Sequence, residues 1–218
     1  MQEFIILTTL ALIVSFIPYL RSPFRTIETF FHELSHGLAA VFTGGKIHRI
    51  QLNFDGSGHC TTMGGLRIPT LLAGYTGASA AGLAIYYIGT QIQVNQAEQF
   101  LYGILVLFIF TTIMWVRHIP TLLCMILMGC LFYLPLKHEL YEYTSIYLKF
   151  IGIYVCLSAV RAPLDLIDGL DIGDGAELFK HTLLPEGVWI ILWVAFGSYC
   201  MYNIYLLSVF NTSLMKFL

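Results

Sequence analysis

The sequence predicts an all-α polytopic membrane protein of about six to seven transmembrane helices, with a small β-hairpin after the second. Three observations carry this. Hydrophobic residues make up 57% of the 218, charged residues only 11%, and mean hydropathy is +0.76; soluble domains carry about 25% charged residues. The apolar residues fall into runs of membrane-spanning length, separated by short polar breaks. One segment alone, residues 46–65, abandons the helical pattern for a period of two.

The first apolar run covers residues 4–20. The N-terminus ahead of it, Met1-Gln2-Glu3, has no basic region, and no A-x-A site follows, so the run is expected to stay as a helix. Arg21-Ser22-Pro23 is expected to break it, with a fresh helix from about residue 24 to 43. Gly44-Gly45 supplies a helix stop. In residues 46–65, Ile47, Arg49, Gln51 and Asn53 alternate with His48, Ile50, Leu52 and Phe54. Asp55-Gly56-Ser57-Gly58 is turn chemistry, and 59–63 is the return strand. A third helix at 68–89 is rich in small residues; Gly74 with Gly77, and Ala78 with Gly82, offer faces for close helix approach. A polar loop at 91–99 precedes helices at 100–116, 119–136 and 144–160. Residues 161–186 form a polar island holding Asp165, Asp168, Asp171, Asp174, Glu177 and Glu186. The last helix, 187–209, opens with Trp189 and Trp193, expected at the membrane interface. The whole chain reads as one membrane domain, with its core in 24–89 and 144–209. Basic residues are distributed so that the hairpin is expected on the cytoplasmic side, in a multi-pass cell-membrane protein.

Charge and cysteine usage exclude other classes. A net charge of −2 without a basic run gives no footprint for nucleic acid. The five cysteines are scattered, with no C-x-x-C pair, and four lie in apolar segments as core residues. The Gly-Ser-Gly at 56–58 is a turn without the context of a phosphate loop.

The chemistry concentrates in the second helix, in His32-Glu33-Leu34-Ser35-His36. This is H-E-x-x-H. Four residues apart on a helix, His32 and His36 share a face and can reach one metal ion. Glu33 beside them can take a proton from a metal-activated water. Three ionisable groups in an apolar helix are costly, which makes them functional candidates. Catalytic zinc uses three protein ligands, so one more must come from elsewhere. The acidic island offers Asp168, with Asp165 and Asp174 as alternatives. Asp174-Gly175-Ala176-Glu177 has capping-box spacing, which gives Asp174 a structural role as an N-cap. Asp165 and Asp168 have no such role.

With these motifs in hand, the sequence resembles the site-2-type intramembrane zinc metalloproteases, most closely the M50B-like branch. The stretch HELSHGLAAVFTGGKIHRIQLNFDGSG joins the H-E-x-x-H helix, the Gly-Gly stop and the hairpin. The stretch 163–169, Pro-Leu-Asp-Leu-Ile-Asp-Gly, resembles the family's P-x-x-x-x-D-G motif, with Asp168 at the position of its metal-binding aspartate. Asp165, Asp174-Gly175-Ala176, Trp189 and Trp193 resemble the spaced aspartates and tryptophan-bearing helix of that branch. The resemblance implies one Zn²⁺ ion, Glu33 as general base and a membrane-embedded or membrane-anchored protein as substrate. It also implies a hairpin lying against the site, where Asn53 and Gly56 are the candidate substrate-positioning residues. Two positions depart from the pattern: the asparagine expected three residues before the proline is Val160, and a frequent glycine is Leu170. The alternative function is a non-proteolytic membrane protein that keeps the metal site as a scaffold, chaperone or transporter.

Overall fold

A computed structural model describes residues 2–167 and 172–214, apart from the side chains of 19–21 and 211–214. Asp168 lies outside the described residues. In chain order the elements are α1 (Gln2–Phe16), α2 (Pro18–Phe42), β1 (Lys46–Leu52), β2 (Gly58–Met63), α3 (Arg67–Gln91), α4 (Val94–Trp115), α5 (Ile119–Lys137), α6 (Thr144–Arg161), α7 (Asp174–Thr182) and α8 (Glu186–Leu214). Among the described residues, five helices (α3, α4, α5, α6 and α8) are long and apolar enough to span a membrane. The polypeptide is an integral multi-pass membrane protein. The remaining two of the expected seven differ for physical reasons. Helix α1 has only 15 residues, and α2 has the length, at 25 residues, but carries the charged side chains of Arg25, Glu28 and Glu33.

The first break comes earlier than Pro23. Pro18, next to the extended Ile17, opens α2, and Pro23 sits inside that helix. A proline is best tolerated at a helix start, where its missing N–H has no partner to lose. The loop expected at 91–99 is also shorter. Helix α4 already begins at Val94, where the Gln93 N–H donates to the Gln96 side chain at 3.4 Å.

Helix α3 is the central post, packed against α2, α6 and α8. Its small residues make this possible. A Cβ added at Gly77 would collide with Ser35 of α2, and one at Gly82 would meet the Cys156 backbone of α6 at 2.6 Å. So Gly74 and Gly77 face one neighbour, while Gly82 faces another.

The hairpin forms as the alternation predicts, antiparallel, with Ile50 opposite Cys60 and Leu52 opposite Gly58. The register slips between Ile47 and Arg49. That bulge turns Ile47 onto the same side as Ile50 and Leu52. Ile50 and Leu52 are fully buried, and Ile47 packs against Gly37 of α2. At the end of β1 the Thr121 hydroxyl of α5 accepts from the Leu52 N–H at 2.9 Å and donates to the Leu52 carbonyl at 3.2 Å. The β1 side of the hairpin is thereby tied to the α4–α5 pair. The β2 side is left facing α2.

Two expectations for buried residues change. Trp189 and Trp193 do not point outward as exposed anchors. They are buried with Leu71 and Leu178 in a small core beneath α7, and the Trp193 indole donates to the Leu72 carbonyl at 3.2 Å. Of the four helical cysteines, Cys124, Cys156 and Cys200 are buried, but Cys130 is exposed on the outer face of α5.

Candidate metal centre and catalytic cavity

Helix α2 carries His32 and His36 one turn apart, and both rings turn toward α3. Gly74 of α3 makes room for them: a methyl there would come within 2.6 Å of His32 Nε2 and 2.5 Å of His36 Nε2. The two Nε2 atoms are 2.9 Å apart. Asp174, from the far end of the chain, closes the triangle. Its Oδ2 lies 3.2 Å from His32 Nε2 and 3.1 Å from His36 Nε2.

Asp174 reaches this position because it is not the cap of α7. It is the first residue inside the helix, and Gly173 precedes it with φ of 109°. That backbone conformation favours glycine, and it aims the Asp174 carboxylate at the histidines instead of at its own helix. Glu177 N–H meets the Gly173 carbonyl at 3.0 Å, so the backbone provides the first turn without a side-chain cap.

The protonation pattern follows from partners. His36 Nδ1 is 2.6 Å from the Thr70 carbonyl, which can only accept, so Nδ1 carries the proton. In neutral His36 that leaves an Nε2 lone pair pointing at Asp174. Three electron-rich atoms then converge, an arrangement that a cation between them would stabilise. The spacing fits one. For bonds of about 2.0–2.1 Å, the edges of a tetrahedron around zinc are about 3.3–3.4 Å. The observed 2.9, 3.1 and 3.2 Å are close to that. His32, His36 and Asp174 form the group able to hold a metal ion among the described residues. Burial works against the charge on Asp174; with no cation between the three atoms, Nε2 protons on the imidazoles offset that cost and hold its carboxyl well below the ordinary carboxylate range.

Glu33 is 5% exposed and lies next to the hairpin rather than in the donor triangle. A Cβ on Gly58 would stand 2.5 Å from Glu33 Oε1, so β2 passes directly over the carboxylate. The Thr29 hydroxyl fixes this contact by donating to the Gly56 carbonyl at 3.0 Å. The resulting cavity has a volume of about 540 Å³ and is walled by α2, the start of β2, α3 and α7.

The remaining candidates are distributed as follows. Asp165 also lines the cavity, but its side chain is 75% exposed and pairs with Arg25 at 3.8 Å instead of joining the histidines. Gly56 is in the cavity wall, whereas Asn53 belongs to the hairpin turn, donating to the Ser57 hydroxyl at 3.0 Å. Val160 faces α8, where a Cβ on Gly197 would meet its Cγ2 at 2.7 Å. His59 lines the cavity from an exposed position. Cys60 does too, and burial pushes its thiol up to about 12, so it is neutral there.

Four residues of this site carry no signal of their own in the H-E-x-x-H motif. Thr70 acts through its backbone carbonyl, which no side-chain pattern reveals. Gly74 reads as a helix-packing glycine. Tyr75 places its ring edge-on to His32, centroids 4.4 Å apart, and tilts against Trp193 at 4.7 Å. Glu28 is 4% exposed and lines the cavity one turn before His32; its signal is the Glu28-x-x-x-His32 spacing on one helix face.

Comparison with protein families adds the deciding observation: the family model described as Peptidase M50B-like matches residues 5–204. The chain belongs to the Peptidase M50B-like family. The match takes in both parts of this M50B-like site, the histidine helix near the start and Asp174 near the end. No curated protein and no solved structure matches the chain.

Proposed function

We propose that this M50B-like protein is an intramembrane zinc endopeptidase. It hydrolyses peptide bonds of membrane-embedded or membrane-anchored proteins, and it resides in the cell membrane. The observation that carries this is the convergence of His32 Nε2, His36 Nε2 and Asp174 Oδ2 beside the buried Glu33, in a cavity large enough for an extended peptide segment.

When bound by these three residues, zinc lowers the pKa of a water and polarises the scissile carbonyl. The chain's own groups do the rest. Glu33 accepts the proton of the attacking water and returns it to the leaving amine. Its burial between α2 and β2 keeps bulk water away from that exchange. Thr70 keeps the His36 ring turned inward, as carbonyl partners of metal-binding histidines do. A helical substrate has no free peptide carbonyl, because its backbone bonds are satisfied internally. The β2 side of the hairpin, which passes over Glu33, offers an edge on which an unwound segment adds as a strand. Gly56 and Gly58 keep that passage narrow and free of side chains.

Glu33→Gln tests the reading. The variant is expected to retain zinc and lose cleavage of a membrane-anchored reporter, while His32→Ala loses both. Full cleavage by Glu33→Gln defeats the protease assignment. Zinc binding by the wild-type protein without cleavage of any membrane substrate favours the scaffold alternative.

A further inference from the structure

Thr70 fixes the ring of His36, and His32 needs an equivalent. His32 directs Nε2 at Asp174 and His36, so its Nδ1 faces away from the three donors. One helical turn earlier on the same face stands Glu28. The residue is 4% exposed, yet among the described residues its carboxylate forms no direct hydrogen bond or ion pair. A carboxylate buried in a membrane protein without a partner is costly and calls for a function. The charged groups around it are His32, Arg25, Glu33 and Asp165.

Glu28 also occupies a particular place. It lines the catalytic cavity on one side and a second chamber of about 120 Å³ on the other. Ser15, Tyr154, Ser158 and Arg161 wall that chamber. Such a volume, lined by hydroxyls and a guanidinium, is roomy and polar enough to hold water. A water bridging two polar groups is nearly as good as a direct hydrogen bond. Metal-binding imidazoles commonly donate their second N–H to a carboxylate.

We propose that Glu28 is the positioning residue for His32: across one water of the catalytic cavity, which both side chains line, it accepts the Nδ1 proton of His32 and so holds Nε2 toward the metal site. This inference rests on the zinc reading above. It gives the two histidines unlike supports, a backbone carbonyl for His36 and a carboxylate for His32. The carboxylate makes His32 the more basic ligand of the two.

The full-length protein in detergent tests this by zinc titration against a chromophoric chelator and by the visible spectrum of the Co²⁺-substituted form. Glu28→Ala is expected to weaken zinc affinity roughly 10–100-fold, the usual effect of losing such a partner, and to change the cobalt spectrum. Glu28→Gln keeps the volume and one acceptor, so a loss of several-fold is expected; this variant decides if Glu28→Ala does not fold, as judged by circular dichroism. Cys130→Ala, exposed on α5 and outside both cavities, is expected to leave zinc affinity unchanged. Wild-type zinc affinity and an unaltered cobalt spectrum in Glu28→Gln overturn the proposal. A wild-type protein that binds no zinc overturns the metal reading itself, a separate outcome.

Discussion

Gly74 stands against His36 so closely that a methyl group in place of its hydrogen would meet the ring nitrogen Nε2 at 2.5 Å. The same methyl would touch His32, since both rings lean on this point of α3. A residue that reads as a helix-packing glycine is therefore part of the candidate metal centre. Gly74→Ala is expected to abolish zinc retention and cleavage while the helices stay assembled. The check is zinc content by mass spectrometry together with circular dichroism. Retention of wild-type zinc would mean that the rings can yield at no cost.

The acidic island separates by geometry. Asp174→Asn removes a carboxylate 3.1–3.2 Å from both imidazoles and is expected to lose zinc and activity. Asp165→Asn weakens only an exposed contact with Arg25 at 3.8 Å, so zinc content is expected to stay at the wild-type level. Equal zinc loss in the two variants would refute this division.

Thr121 closes the end of β1 from another helix. Thr121→Val keeps the shape and leaves the buried Leu52 N–H without an acceptor. The expected cost is about 1–3 kcal/mol of stability, measured by denaturant unfolding in detergent. Because the hairpin overlies Glu33, a drop in cleavage is expected to accompany it, with zinc content unchanged.

Helix α7, which presents Asp174, is tied to α3 by Glu177 and Arg67 at 3.6 Å. Lys180 shares the carboxylate at 2.8 Å. The Lys180 hydrogen bond, with Arg67 adding its charge, holds the Glu177 carboxyl below its ordinary value of 4.5. A depressed folded-state pKa means the tie is fully present above that value and is lost as pH falls through the lower, folded one. At neutral pH Arg67→Ala is expected to speed zinc loss to a chelator several-fold with little change in thermal unfolding, since exposed pairs contribute little to stability. Salt should narrow the gap between variant and wild type. Identical release rates at low salt would remove any role for this tie.

Much of the architecture was readable from local pattern. The i,i+4 histidines, the Gly44 stop, the alternation in β1 and the two small-residue faces of α3 each follow from spacing over a few residues, which helix and strand geometry fix directly. What resisted reading depended on backbone detail or on distant partners. Asp174 has the spacing of a cap, and a shift of one residue, set by the left-handed Gly173, turns it into a neighbour of the histidines. Pro23 reads as the break and Pro18 as part of the first run, whereas the helix starts at Pro18 and continues through Pro23. Trp189 and Trp193 have the look of interfacial anchors, but α7 covers them. Glu28 went unread in the sequence, although its four-residue spacing from His32 places it on the histidine face; its burial beside the cavity is what gives it meaning.

The donors are far apart along the chain, His32 and His36 in α2 and Asp174 in α7. A ribosome that has delivered α6 has already made the base and both imidazoles, but not the carboxylate that completes the triangle. On the proposed reading, the nascent protein is thus disarmed by the order of its own synthesis: it meets neighbouring membrane proteins during insertion with an unfinished centre, and becomes competent to cut only once α7 has emerged.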